Sequence, residues 1–338
     1  MDILAYALAK QNGGGGGGGD DNRVVDGIIA RTISGTYTNG TCTTIGMSAF
    51  CSCGALEAVD FSACTSIVGY AFVGCSALKS ASFPVCSAIG VNTFDGCSSL
   101  TNVSFPLCET IYGYAFASCI SLTSAVFPAC TSVGTSAFTS CSTLTVASFP
   151  SCKSVGTYAF NACYLLSEVS FPECLYLGTR AFGGCRALTS VSFPKCVTIG
   201  VSAFAFCSTL AFASFANCSL VSAYAFNTCP LLSTVILSDS THNTLTISSF
   251  AFQSCYNLLS LYLLASSVYN LVSRSVFNST PISNYTTSTG GVYGSIYVLS
   301  SLYATYKTAT NWSLFSNRIA SLTDEQVQNV VTNGTHII

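Results

Sequence analysis

A period of 22 residues runs through most of the chain and constrains its fold more than any other feature. Phenylalanine recurs at this spacing at Phe50, Phe72, Phe94, Phe116, Phe138, Phe160, Phe182, Phe204 and Phe226. A cysteine follows each one three residues later, and a second series from Cys42 to Cys218 falls midway between, so that eighteen cysteines stand eleven residues apart. Such units bury their apolar side chains only against their neighbours. The chain is therefore expected to be a stack of coils.

One unit shows how a coil is built. The segment 100–108 places apolar residues in the order L-x-x-V-x-F-x-x-C, which is typical of a short strand with alternate side chains directed into the coil. The unit continues with Ile111, Ala115, Phe116 and Cys119, a spacing that suits a tight helical or 3-10 turn. We predict one parallel strand and one such turn in each coil, with neighbouring coils about 4.8 Å apart.

The repeated pattern I-G-x-x-A-F-x-x-C-x-x-L-x-x-V-x-F-P resembles the BspA-type leucine-rich repeats found in surface proteins of bacteria and some protozoa. The resemblance covers about Thr41 to Leu264. It implies an α/β repeat fold, a right-handed leucine-rich-repeat solenoid of about ten coils with a cap at each end. It also implies a non-enzymatic protein that presents a binding or adhesion surface to protein or glycan on a cell surface.

The chain is expected to divide into five successive parts. These are an N-terminal docking helix over 1–12, a glycine-rich linker over 13–22, an N-terminal cap over 23–41, the solenoid over 42–264, and a C-terminal cap over 265–338 with a degenerate repeat and short helices. In the first part, Ile3, Leu4 and Leu8 would lie on one side of the helix, ahead of a tether that is flexible on composition. A frayed terminus is the alternative.

Composition excludes several classes of function. Only 7% of residues are charged and the net charge is −2, so the chain lacks the basic footprint that a nucleic-acid-binding protein needs. No apolar run approaches the ~20 residues that span a bilayer. The segment 1–12 makes a poor classical signal peptide, because Asp2 stands where positive charge is expected. We expect a protein made in the cytoplasm with reduced thiols, either virion-associated or exported to a surface by a non-classical route.

The regular cysteines are predicted to be buried structural thiols, since free cysteine is among the most buried residue types. The predicted core ladder includes Phe72, Phe94, Phe116, Cys75, Cys97, Cys108 and Cys119. Disulfides are the first alternative, because rungs about 4.8 Å apart fall within the Cα separations that a disulfide allows. A metal or redox store is the second, although a regular eleven-residue series does not resemble the closed ligand clusters of zinc sites.

The sequence gives little support to catalysis. The two histidines, His242 and His336, have no carboxylate beside them in a recognisable motif. There is no G-x-S-x-G nucleophile motif, and the glycine run lacks the lysine of a phosphate-binding loop. We therefore predict no enzyme, no cofactor and no metal site.

Surface chemistry varies most at the turn position two residues before each repeated phenylalanine. Tyrosine occupies it at Tyr70, Tyr114, Tyr158 and Tyr224, whereas the outward strand positions are small and hydroxylated. We interpret these tyrosines as a candidate binding stripe, because tyrosine is rigid and amphipathic. The competing hypothesis is a structural appendage of a larger assembly, such as a phage virion or tail, docked through the N-terminal helix. That segment could also form a homo-oligomer.

Overall fold

The computed structural model describes residues 33–239, 241–242, 244–283 and 293–333. The docking helix and the glycine-rich linker predicted at the N-terminus lie outside these residues, as does most of the N-terminal cap. Thirteen longer strands follow one another along the chain: Gly35–Thr38, Leu56–Asp60, Ser80–Ser82, Asn102–Ser104, Ser124–Val126, Val146–Ser148, Glu168–Ser170, Ser190–Ser192, Phe212–Phe215, Thr234–Leu237, Ser260–Leu263, Ser295–Leu299 and Ile319–Leu322. The molecule is a parallel β-solenoid, as the sequence predicts.

Each regular coil also has a second strand of two residues, which was not expected. These strands are Thr44–Ile45, Ser66–Ile67, Ala88–Ile89, Thr110–Ile111, Ser132–Val133, Ser154–Val155, Tyr176–Leu177, Thr198–Ile199, Leu220–Val221, Thr246–Ile247 and Asn270–Leu271. They form one parallel sheet of eleven strands. The solenoid has about thirteen coils rather than ten, because both caps extend the ladder of longer strands.

The register follows the sequence period. Val133 pairs with Ile111 on one side and with Val155 on the other, each 22 residues away. The longer strands form parallel sheets of four, three and six strands. The two interruptions follow Asn102–Ser104 and Glu168–Ser170. The Phe105 and Phe127 rings at the first interruption are 6.2 Å apart, against 5.0 Å for Phe83 and Phe105.

The third stretch of each coil, here called the turn side, is a run of turns rather than a 3-10 helix. Backbone N–H groups alternate in direction along it. Phe116 donates to Ala137 of the next coil at 2.7 Å, whereas Cys119 donates to Phe116 within its own coil at 3.2 Å. In a 3-10 helix, every backbone N–H group would donate to a carbonyl of the same coil. The alternation instead gives the turn side its own ladder of hydrogen bonds between coils.

The core consists of two stacks of aromatic rings. In the turn-side stack, Phe116 lies 5.0 Å from Phe138 with the rings nearly parallel. In the strand-side stack, Phe127 lies 5.4 Å from Phe149. The two stacks also contact each other, mostly edge to face or tilted, an arrangement that adds roughly 0.5–1.5 kcal/mol per pair beyond area burial. Tyr37 covers the first ring of both stacks.

The C-terminal end closes the last coils with short helices. These are 3-10 helices at Arg274–Phe277, Ser300–Leu302 and Trp312–Arg318, with α1 at Tyr303–Thr308 and α2 at Asp324–Asn333. Trp312 is buried and donates its indole N–H to the Tyr269 carbonyl at 2.6 Å. A smaller apolar cluster joins Leu322 and Val330 of this end to Ile236 and Tyr262 on the outward side of the longer strands.

Candidate functional site

The repeated thiols form two ladders that differ in their hydrogen bonds. The first, the turn-side cysteines, comprises Cys53, Cys75, Cys97, Cys119, Cys141, Cys163, Cys185, Cys207, Cys229 and Cys255, all buried. From Cys75 onward, each thiol donates to the carbonyl of the repeated phenylalanine in the preceding coil; Cys141, for example, donates to Phe116 at 3.1 Å. The turn-side cysteines therefore connect neighbouring coils.

The second ladder, the strand-end cysteines, comprises Cys42, Cys64, Cys86, Cys108, Cys130, Cys152, Cys174, Cys196 and Cys218. Each is buried as well, but its thiol donates two residues ahead within the same coil. Cys152, for example, donates to the Ser154 carbonyl at 3.2 Å. Each of these thiols therefore donates to a carbonyl of its own coil and closes a turn locally.

Burial makes the thiols poor nucleophiles and poor metal ligands, since both roles require the thiolate. Burial raises the pKa of Cys141 to about 12 and that of Cys152 to about 11. All 20 cysteines lie in the described part of the chain, and each is in the thiol form. No group of three or more His, Cys, Asp or Glu side chains within the described ranges has the geometry of a metal site.

The candidate tyrosine stripe lies on the turn side, where every coil adopts the left-handed backbone conformation. Tyr114 has a φ of 57° and Tyr158 one of 57°, and all ten residues in this row from Ser48 to Phe250 have a positive φ. Tyr70 and Tyr114 are 45% and 44% exposed, while Tyr224 stacks on Phe250 at 5.0 Å. The other three tyrosines occupy alternate coils, so polar residues separate them: Asn92 and Ser136.

The outward side of the longer strands offers little that could hold a ligand. Two threonine hydroxyls just before these strands bond between coils: Thr101 donates to the Lys79 carbonyl of the preceding coil at 3.0 Å, and Thr145 donates to the Thr123 carbonyl at 2.9 Å. Lys79 pairs with Glu57 of the preceding coil in the same direction at 2.9 Å. The variable chemistry is on the turn side.

His242 has a carboxylate partner in the structure, although the pair belongs to no recognisable sequence motif. Its Nδ1 lies 2.7 Å from Asp239, whose side chain is fully buried and also accepts the backbone N–H groups of Thr241 and His242. Burial alone would raise the pKa of Asp239, but the hydrogen bonds from Thr241 and His242 outweigh it and hold the pKa below its usual value. This contact holds the His242 side chain against Asp239. The sequence does not reveal this contact, because the two residues match no catalytic pattern.

Comparison with known proteins now identifies the fold family. A model of the BspA-type leucine-rich repeat region matches residues 32–145, 131–257 and 175–293, in six copies. The chain belongs to the BspA-type leucine-rich-repeat family. The resemblance noted from the repeat pattern is thereby confirmed, and so is the leucine-rich-repeat solenoid.

Solved structures resemble this BspA-type protein at low sequence identity. A leucine-rich repeat protein from Bacteroides ovatus is 19% identical, with 85% of this chain and 92% of that chain covered and a TM-score of 0.44. The T. pallidum leucine-rich repeat protein is 29% identical over 52% of this chain and 83% of its own, with a TM-score of 0.39. A leucine-rich cell surface protein from Faecalibacterium prausnitzii is 20% identical over 77% and 90%, with a TM-score of 0.35. No curated protein matches the chain.

Two further predictions concern a membrane-spanning segment and the N-terminal docking helix. Among the described residues, no helix combines the length and apolar character needed to cross a bilayer. The docking residues Ile3, Leu4 and Leu8 lie outside the described residues, so the virion or tail appendage that depends on them stays a prediction. The comparisons lend that hypothesis no support.

Proposed function

We propose that this BspA-type protein is a non-enzymatic binding module that contacts protein or glycan on a cell surface through the tyrosine stripe Tyr70, Tyr114, Tyr158 and Tyr224. One observation carries the proposal. These bulky residues stand where the backbone is left-handed, a conformation that costs a residue with a Cβ roughly 1–2 kcal/mol. Departures from local preference of this kind concentrate at functional sites.

Other coils show which residues the fold accepts in the row of the tyrosine stripe. Serine occupies the same row at Ser48, Ser136 and Ser202 with the same positive φ, so the fold does not require an aromatic ring there. The rings of Tyr70, Tyr114 and Tyr158 are at least 36% exposed, which makes their contribution to the core small. Exposed, rigid tyrosines are suited to contact either a protein surface or the apolar face of a sugar.

The test replaces the four tyrosines by serine and applies the full chain to arrays of defined glycans and defined extracellular proteins. We expect the wild-type protein to bind at least one component and the fourfold variant to lose at least about 10-fold in affinity, a loss of about 1.4 kcal/mol. The matched control is Tyr176→Thr, since Tyr176 is 52% exposed on the short-strand side and threonine stands in its row at Thr110 and Thr198. Equal binding by the fourfold variant would remove the stripe as the site.

A further inference from the structure

A shallow depression of about 180 Å³ interrupts the turn side near the middle of the solenoid. Its floor is the pair Gly183 and Gly184, and its rim includes Tyr164, Arg180 and Arg186, with Phe206 in the next coil. Arg180 occupies the row of the tyrosine stripe, so the depression adjoins the surface assigned above. None of the four tyrosines of the stripe lines the depression.

The glycines create the hollow. A Cβ on Gly183 would come within 2.9 Å of Asn161 Oδ1, so a side chain there would displace the asparagine. Gly184 has a φ of +73°, in a row where the next coil carries Phe206. Because neither glycine has a side chain, the space between the arginines and the aromatic rings stays open.

The charge of the depression is unbalanced. Arg186 is held with its guanidinium carbon 4.9 Å from the centroid of the Tyr164 ring. No acidic residue lines the hollow. Elsewhere Lys79 and Lys195 each pair with a glutamate 22 residues earlier, whereas no ion pair involving Arg180 or Arg186 is formed with any described residue. Two positive charges without a counter-charge, in a chain that is 7% charged, favour an anionic ligand.

We propose that this depression binds a carboxylate-bearing sugar residue of an acidic glycan. The planar guanidinium groups of Arg180 and Arg186 match the geometry of a carboxylate, which arginine binds through paired hydrogen bonds. The exposed ring of Phe206 offers a flat apolar face to the C–H face of a sugar ring, while the Tyr164 ring holds Arg186 in place. The hollow has room for a single sugar ring rather than for an extended chain. The proposal shares with the proposed function only the assignment of a glycan as ligand.

The test titrates the full chain with glucuronic acid, glucose, acetate and a hexaglutamate peptide. Saturation-transfer NMR and calorimetry measure the binding of each. We expect glucuronic acid to bind at least about 10-fold more tightly than glucose, with an affinity that falls as salt is added. Arg186→Ser and Arg180→Ser should each weaken glucuronic acid binding by about 10-fold or more. Phe206→Ser should weaken glucuronic acid but leave acetate unchanged.

The repeat supplies the controls. Serine already stands in the row of Arg186 at Ser76, Ser98, Ser142 and Ser208, and in the row of Phe206 at Ser52, Ser118, Ser140 and Ser254, so these variants should fold. Lys153→Thr, on an exposed residue outside the depression, should not change binding. Equal affinity for glucose and glucuronic acid, or no binding of either, would overturn the proposal.

Two further outcomes would also reject it. Binding of hexaglutamate without glucuronic acid would assign the depression to an acidic peptide, and acetate binding as tightly as glucuronic acid would assign it to simple anions. The two proposals separate cleanly: Tyr70→Ser with Tyr114→Ser should leave glucuronic acid binding intact. If the tyrosine variants bind the arrays as the wild type does while Arg186→Ser abolishes glucuronic acid binding, the proposal for the tyrosine stripe is rejected and the proposal for the depression stands.

Discussion

The two thiol ladders contain the same residue type, spaced by the same 22 residues and equally buried, yet they stabilise different things. The thiol of Cys141, a turn-side cysteine, donates to the preceding coil, whereas the thiol of Cys152, a strand-end cysteine, donates within its own coil. The difference follows from the backbone beside them. On the turn side, the Phe116 carbonyl accepts the backbone N–H of Cys119 in its own coil and the thiol of Cys141 in the next coil. Identical side chains in a repeat therefore need not have identical energetic roles.

The largest effect expected from both ladders together is a loss of stability at alkaline pH. Burial raises the pKa of Cys108, Cys141 and Cys255 to about 12 and that of Cys152 to about 11. A group whose pKa is higher in the folded than in the unfolded chain contributes stability below the unfolded pKa and loses it as pH rises. Each such thiol then costs about 1.4 kcal/mol per pH unit above roughly pH 8.5.

Urea unfolding between pH 7 and pH 10.5 measures this slope. Removing one thiol with Cys152→Ala should reduce the slope by about 1.4 kcal/mol per pH unit in the part of that range above roughly pH 8.5. A stability that is flat up to pH 10.5 would mean that the buried thiols ionise as easily as exposed ones. In the native protein, only the half-buried Cys51 should react readily with a thiol reagent at neutral pH.

The second effect concerns how closely the backbones of adjacent coils approach on the two sides. After the short strand Ser154–Val155, a Cβ on Gly156 would lie 2.6 Å from the Gly134 carbonyl carbon. On the turn side, a Cβ on Gly96 would have nothing closer than 3.9 Å. Gly156→Ala should therefore cost about 3 kcal/mol or more through displaced backbone.

The matched turn-side variant is Gly96→Ser, because serine adopts the same left-handed conformation in its row at Ser118 and Ser140. It should cost no more than about 1–2 kcal/mol. Chemical denaturation of both variants gives the difference directly. Equal losses of stability would show that the coils are packed as tightly on the turn side as after the short strands.

The third effect tests the ladders against each other. Cys141→Ala removes a bond between coils together with buried volume, and should cost roughly 2–3 kcal/mol. Cys152→Ala removes similar volume and a thiol that donates within its own coil, and should cost roughly 1–2 kcal/mol. Cys141→Ser, which keeps a donor, should recover part of the loss. If the two alanine variants were equally unstable, the direction of the thiol hydrogen bond would have no energetic weight.

Much of this architecture was predictable from the repeat. The spacing of Phe116, Cys119 and their equivalents identified the coil, the parallel strands and the interior. The turn side was predicted less well: its two left-handed rows are occupied mainly by residues such as Ser48, Tyr114 and Ser118, and only the second contains glycine, at Gly74, Gly96 and Gly184. Without glycine as a signal, the spacing resembles a 3-10 turn.

The candidate sites show the same limit. The tyrosine row was visible because its members share one position in the repeat. The depression could not be predicted in this way. It exists because Gly183 and Gly184 have no side chains, and its lining residues come from three successive coils. Pairs such as Tyr164 and Arg186 are 22 residues apart and become neighbours only when the coils are stacked in register.

The smallest expected effect separates structural from functional tyrosines on the turn side. Tyr114→Gly relieves the left-handed strain, worth roughly 1–2 kcal/mol, but adds roughly 0.5–1 kcal/mol of chain entropy to the unfolded state. The variant should be neutral or more stable by up to about 1.5 kcal/mol, while Tyr114→Ala, which keeps the strain, should change little. A loss above about 1 kcal/mol for Tyr114→Gly, measured by the same unfolding experiments, would mean that the ring supports the coil. The tyrosine stripe would then belong to the architecture, and the left-handed position would no longer indicate a binding surface.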